Sequence, residues 1–515
     1  METNGMKKSI FLKISAITFL MAGVVFCGCS NSNDEPIEPI EPVGPKTYTL
    51  TIEASKGGSA ETRILTPGDN SLVSTWEKDD QVFVKHGSTW CDGSLKPQSE
   101  GQTTTLRGMI TFNGEVKVND DLTFQYPRET IDYTEQDGTL ESIAAKYDYS
   151  VATATVDEVG DNAITVTDFS GFANQQAIVK FTLKDKAGAD ISATSLTISA
   201  EGLKTSDTAT GDIIVTPTSA TNALYVALSG IENKTVTLIA KTATDIYIYE
   251  KTGVTFSDEK YYEITVKMDN MRSIPLTFEA VNSGTKITFH NLSGGTVESR
   301  LNDGEWFTYT TAITLDEGDK VSFRGGNSSY YPGNGEADAT FTFTGDCYVY
   351  GNVMSLVSST GYTSATELVE EKAFSKMFNG NTYLKSHPLK ELLLPATTLY
   401  YNCYESMFQG CTALTRAPEL PATSLAMNCY KSMFQDCTGL TKAPVLPAAT
   451  LVSGCYNYMF KGCTNLNYIK CLAKSIPEGC TCTTEWVNGV AESGTFVSAD
   501  GVLWSAGVNG NPWGE

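Results

Sequence analysis

Three consecutive segments of this 515-residue chain are near-copies of one another: PATTLYYNCYESMFQGCTALTRAPEL from Pro395, PATSLAMNCYKSMFQDCTGLTKAPVL from Pro421, and PAATLVSGCYNYMFKGCTNLNYIKCL from Pro447. Equivalent residues such as Met407, Met433 and Met459 stand 26 positions apart. A period of this size means one supersecondary unit stacked on copies of itself, because a single copy cannot bury its apolar side alone. The spacing predicts a solenoid in the C-terminal third.

Inside one copy, Leu425, Cys429, Met433 and Cys437 recur at i, i+4, i+8 and i+12, which predicts one buried face of an α-helix, widened by Tyr430 and Phe434. Thr423 or Ser424 would cap its start, with Gly410, Asp436 and Gly462 at the matching stop positions. The following L-T-x-A-P-x-L-P segment is too short for a second helix and reads as an extended return. Pro418 and Pro444 limit its pairing, since proline cannot donate to a sheet ladder.

The C-x-x-M-F-x-G-C-T-x-L-T pattern resembles the leucine-rich repeats of the BspA type found on bacterial surfaces. That resemblance covers about 374–515 and implies an α/β solenoid over 367–472. A partial copy holds Met377-Phe378, and residues 473–515 break the period like the cap a solenoid end requires.

At the other terminus, Lys7, Lys8 and Lys13 precede an uncharged run from Ile14 to Cys29, too short to span a bilayer comfortably and read as a secretory leader over 1–28. Phe26-Cys27-Gly28-Cys29 resembles a lipobox, which implies lipidation of Cys29 and anchoring without a membrane-spanning helix. Residues 29–46 follow as an acidic tether, with Pro36, Pro39, Pro42 and Pro45 at every third position. The acidic stretch resembles the signal that sends lipoproteins to the outer face of the outer membrane. A formal charge of −23 argues against nucleic acid or an anionic lipid surface as partner.

From Thr47 to about Asn270 the apolar residues alternate. Tyr48, Leu50, Ile52 and Ala54 share one face, as do Ala177, Val179, Phe181 and Leu183, and later Tyr262, Ile264, Val266 and Met268. Alternation broken by Gly, Asn and Asp turns predicts antiparallel sandwiches, placed at 47–165 and 166–270. Glu61-Thr62-Arg63, the run Thr75 to Val84, Gln176 to Phe181 and Tyr261 to Val266 resemble the fimbrillin family. That resemblance implies a pilin-like subunit, other fimbrillin subunits as partners, and cleavage after Arg63 to release the strand Tyr48–Ala54. A neighbour's strand would then fill the groove. An arginine in an ordinary turn is the plainer reading. Asp207-Thr208-Ala209 resembles an O-glycosylation acceptor of the same bacterial phylum, with Thr208 as the modified residue.

Residues 274–366 alternate again and read as a small all-β module. Its acids Asp316, Glu317, Asp319, Glu336 and Asp338 match no calcium loop and read as turn residues. The three histidines, His86, His290 and His387, stand apart from any recognisable nucleophile motif, and neither a phosphate loop nor H-E-x-x-H occurs. No catalytic, cofactor or metal site is expected.

Removing Cys27 with the leader and Cys29 as anchor leaves eleven of thirteen cysteines. Those in the repeats read as small buried apolar residues; Cys471, Cys480 and Cys482 leave one disulfide open.

The expected whole is a multidomain chain with tandem all-β sandwiches, a small all-β module and an α/β solenoid. The expected role is that of a lipid-anchored surface adhesin or pilus-associated subunit contacting a protein or glycan. Residues that vary between copies, Tyr401, Glu405 and Arg416 against Met427, Lys431 and Lys442, are the candidate contacts, although free variation on a solvated surface explains them as well. Two other roles remain open. One is glycan capture for nutrient uptake, favoured by an aromatic platform at Trp90, Trp306 or Tyr330 and Tyr331. The other is a purely structural pilus anchor.

Overall fold

In the computed structural model, residues 44–55, 66–67, 72–73, 75–129, 131–290, 296–326 and 339–514 are described. Cys29, Arg63, Tyr330, Tyr331, Glu336 and Asp338 lie outside them.

The alternating segments form strands. In the first sandwich the ten-residue strand Lys46–Ser55 runs antiparallel to Thr103–Phe112 in unbroken register and parallel to Ala163–Thr167 at Thr49 and Leu50. Leu50 and Ile52 meet Leu106, Ile110, Phe124 and Val156 in its core. Alternation buries one face and wets the other, so register here is set by the hydrophobic pattern.

The second sandwich carries the order Ile213–Val215, Ser195–Ala200, Ile231–Lys241, Ile246–Phe256, Tyr261–Asn270, Ala177–Asp185, Ala223–Leu228. Its core also takes in Tyr133, Tyr147, Tyr149 and the helix Leu140–Lys146, which precede the last strands of the first sandwich in sequence. Thr139 caps that helix by accepting from the Ser142 amide. It is the only α-helix among the described residues.

Beyond Leu276 the module and the repeats share one hydrophobic core that extends to Val487. The module's sheet runs Phe307–Thr308, Val297–Leu301, Lys320–Gly325, Leu276–Ala280, Cys347–Asn352, then takes Leu384–Ser386 and Leu392–Leu393 in parallel from the repeat side. The first coil is further tied on by the Phe341 amide donating to the Met377 carbonyl at 2.9 Å.

The α/β leucine-rich-repeat expectation is overturned. The segments expected to be helical are stacked coils of overlapping turns. The amides of Tyr404, Ser406, Phe408 and Gly410 donate to the carbonyls of Cys429, Lys431, Met433 and Gln435 in the next copy, while those of Glu405, Met407, Gln409 and Cys411 donate three residues back. Half the donors thus leave the segment, which an α-helix forbids. Asn402, Ser406 and Gly410 all have positive φ, of 55°, 54° and 74°, and Asn428, Ser432 and Asp436 repeat the pattern at 55°, 54° and 60°. A right-handed helix has no place for a left-handed residue at every fourth position.

The period is the physical reason the helix reading failed. On a helix of 3.6 residues per turn, residues spaced by four drift about 40° per step around the axis. Here the spacing stays at four and no drift accumulates. The pairs Cys403 and Tyr404, then Met407 and Phe408, then Cys411 are all buried, with equivalents buried in both later copies. Stacking at constant register makes two aromatic columns: Phe374, Tyr404, Tyr430, Tyr456, and Phe378, Phe408, Phe434, Phe460. Neighbouring ring centroids in them lie 5.4 to 6.2 Å apart. Trp486 closes both columns. The chain end covers this last coil, with Trp486 Nε1 donating to the Gly510 carbonyl at 3.0 Å and Thr483 Oγ1 to the Asn509 carbonyl at 2.9 Å.

Candidate contact surface of the repeat body

The inter-coil hydrogen bonds fix which variable residues share a face. Asn402 donates to Met427 and Ser406 to Lys431, so Tyr401 sits beside Met427 and Glu405 beside Lys431 on adjacent coils. These four are brought together. Met427 is 46% exposed, and Tyr400, at 47%, adds an apolar residue the sequence reading did not include. Glu405 and Lys431 neutralise each other through a 2.8 Å ion pair, and half-exposed pairs of this kind contribute little to stability.

Arg416 and Lys442 belong to the return segment. The guanidinium of Arg416 donates to the carbonyls of His387 at 2.6 Å, Lys390 at 3.1 Å and Pro388 at 3.2 Å, so it holds a loop of its own chain. Lys442 lies 4.9 Å from the Tyr468 ring centroid. Thr208 is exposed in a turn where its amide donates to Ser206 Oγ at 3.3 Å.

A polar junction joins the second sandwich, the module and the repeats. Lys390 is only 8% exposed and reaches Glu279 at 3.5 Å and Glu250 at 3.6 Å; Tyr350 donates its hydroxyl to Glu279 at 3.0 Å. His387 Nδ1 accepts from the amides of Leu389 and Lys390 at 3.0 and 2.9 Å. Burial, then the charges of Lys390, Arg416 and Lys320, hold the imidazole down to about 3, so it is neutral at ordinary pH. Glu279 and Lys390 are 111 residues apart, and nothing local in the sequence announces their meeting.

The cysteines of the repeats are buried and free. Cys437 and Cys463 donate to the Phe408 and Phe434 carbonyls of the preceding coil at 3.0 and 2.9 Å. Burial pushes Cys403, Cys411 and Cys463 up to about 12, the reverse of what a nucleophilic thiol needs. One recess in the first sandwich does bring a cysteine to a histidine. His86 Nε2 lies 2.9 Å from Asp120, and Cys91 lines the same hollow. Burial drives the Cys91 thiol up to about 11, so it is not poised as a thiolate.

Among the described residues, no group of three His, Cys, Asp or Glu side chains is placed to hold a metal ion. Asp319 instead accepts from Asn302 Nδ2 at 2.7 Å and from the Asp316 amide at 3.0 Å, as a turn acid does. The Trp platforms are already covered: Lys85 and Arg128 lie 4.2 and 5.3 Å from the Trp90 ring, and Arg324 and Arg300 lie 4.2 and 4.9 Å from Trp306.

No protein-family model matches this sequence, and neither does any curated protein. The solved structures that resemble it include a candidate cell adhesion protein from Bacteroides ovatus, 14% identical, spanning 44% of this chain and 96% of that one at a TM-score of 0.25. A fimbrial assembly protein from Parabacteroides distasonis is also 14% identical, over 43% and 90% at 0.25. A candidate cell adhesion protein from Bacteroides uniformis is 12% identical, over 45% and 98% at 0.26. These neighbours are fimbrial and adhesion proteins. Scores this low carry no function to the present chain.

Proposed function

We propose that this chain is a surface lipoprotein, held in the outer membrane through Cys29, that works as an adhesin or pilus-associated accessory subunit with the repeat body as its contact surface. The observation that carries this reading is a constant frame bearing changeable side chains. The coils repeat in register, their inward columns keep the same residue types, and the outward column changes from Tyr401 to Met427 to Ser453. Repeat scaffolds build broad binding faces in this way. The covered tryptophans favour this reading over glycan capture on an aromatic platform.

The anchored form keeps the bond after Arg63 intact, because a cut there would sever Cys29 together with the strand Lys46–Ser55, which lies between two partner strands, from the rest of the chain; cutting and strand exchange belong to a polymerised form that has shed its lipid. Thr208, in its exposed turn, would carry an O-linked glycan.

The test compares cells producing the chain with cells producing Cys29→Ala. Protease treatment of intact cells should digest the anchored chain and abolish adherence to host-cell or bacterial surfaces, and Cys29→Ala cells should adhere no better than cells lacking the protein. Complete protection of the chain on intact cells, or full adherence by Cys29→Ala cells, would overturn the reading.

A further inference from the structure

In each sandwich the chain enters and leaves on neighbouring strands that run the same way. Among the described residues of the two sandwiches, every ladder between strands is antiparallel except one apiece. In the second sandwich the exception joins the first strand, Ala177–Asp185, to the last, Tyr261–Asn270, over eight registered residues from Ile178 and Tyr261 to Asp185 and Met268. In the first sandwich it joins the opening strand Lys46–Ser55 to the last long strand, Ala163–Thr167, at Thr49 and Leu50.

Parallel register decides how such a pair meets tension. Ala177 stands at one end of its pair and Asn270 at the other, about 30 Å away along the strands. A pull on these two ends runs along the strands and slides one past the other, so the bonds of the whole ladder resist together. Were the pair antiparallel, both ends would lie on the same side and the same pull would open the ladder one bond at a time. Side chains add to the resistance. Phe181, Leu183, Val266 and Met268 of the two strands are buried in one core, and Lys180 meets its register partner Glu263 at 3.3 Å. In the first sandwich, Lys46–Ser55 would slide not only against Ala163–Thr167 but also against Thr103–Phe112, with which it shares ten registered residues.

Both sandwiches lie in sequence between the tether over 29–46 and the coils. A contact held by the coils while Cys29 holds the membrane would therefore pull on these strand ends. We propose that the two sandwiches carry that tension, with force between anchor and contact surface loading their parallel strand pairs in shear. The inference rests on the adhesin reading and adds a mechanical function to it.

The test is single-molecule stretching of one chain, residues 30–515 with a coupling tag inserted after Ala187, in two geometries. The first pull runs from the N-terminus to the C-terminus, the second from the tag to the C-terminus. Ala187 is exposed in the turn after Ala177–Asp185, so the second pull acts on matching ends of the pair and unzips it. The tag is present in both pulls, so any effect of the insertion on folding cancels. Unfolding of the second sandwich is recognised in either pull by a length gain of about 300 Å, the extended chain less its folded span. At equal pulling speed that event should need about twofold or more force from the N-terminus than from the tag, because one sliding step breaks several ladder bonds at once. Equal forces in the two geometries, or a lower force from the N-terminus, would overturn the proposal. Either result would leave the comparison of Cys29→Ala adherence untouched, so the mechanical claim and the adhesin reading fail separately.

Discussion

Ser432 distinguishes stacked turns from a helix at a position in mid-segment. It has φ of 54°, and its equivalents Ser406 and Tyr458 have 54° and 55°. For an L-residue the left-handed conformation costs about 1–2 kcal/mol. Glycine avoids that strain but loses about 0.5–1 kcal/mol more chain entropy than alanine on folding. The balance favours Ser432→Gly over Ser432→Ala by about 0–1.5 kcal/mol in these coils. In a helix interior the order reverses, alanine being better by about 1 kcal/mol. Hydrogen exchange of the 428–462 amides in the full chain measures the difference locally, without assuming that all domains unfold together. Exchange in the Ser432→Ala chain at least as fast as in the Ser432→Gly chain is expected. Slower exchange in the Ser432→Ala chain, the helical order, would refute the turn geometry.

Further outcomes follow from buried polar groups. The hydroxyls of Tyr404, Tyr430 and Tyr456 are buried without a hydrogen-bond partner, so Tyr430→Phe should leave repeat-amide protection unchanged or raise it, by up to about 1–3 kcal/mol; a loss of protection would contradict the dry column. His387 has a folded value near 3 against an ordinary 6.5, so below pH 6.5 the unfolded chain takes up a proton that the folded chain does not, and stability falls as pH drops from about 6.5 to about 3. Urea midpoints across that range should show a flatter slope for His387→Asn, and an unchanged slope would count against a neutral buried imidazole. Of the cysteines in the described residues, Cys480 alone is not buried, so brief alkylation of the folded chain at pH 8 should label it first by peptide mass; prompt labelling of Cys437 or Cys463 would contradict their burial.

The sandwiches were legible because alternation has only one common structural meaning. Tyr48, Leu50, Ile52 and Ala54 are all buried along one strand, as read. The repeat's length and apolar columns were equally legible, but not its backbone. Spacing by four resembles a helix over two turns, and the residues that speak against one, Asn402, Ser406 and Gly410 with Asn428, Ser432 and Asp436, are visible only when read as a second four-residue series. Gly, Asn, Asp and Ser tolerate or favour such turns, and reading Gly410 and Asp436 as helix stops leaves Asn402, Ser406, Asn428 and Ser432 without a role. Which of the variable residues share a face was partly legible too. Tyr401, Glu405, Met427 and Lys431 converge because copy-to-copy register places them, while Arg416 holds a loop that only tertiary contact reveals. The Glu279–Lys390 junction depends on partners over a hundred residues apart, beyond any local pattern.

Adherence of cells displaying the intact chain, against cells displaying Tyr401→Ser, Glu405→Ser, Met427→Ser and Lys431→Ser combined, asks most directly whether the coil face makes contact. A loss of about tenfold or more in adherence is predicted with unchanged surface level and unchanged protection of the repeat amides. Undiminished adherence by the substituted chain would contradict it.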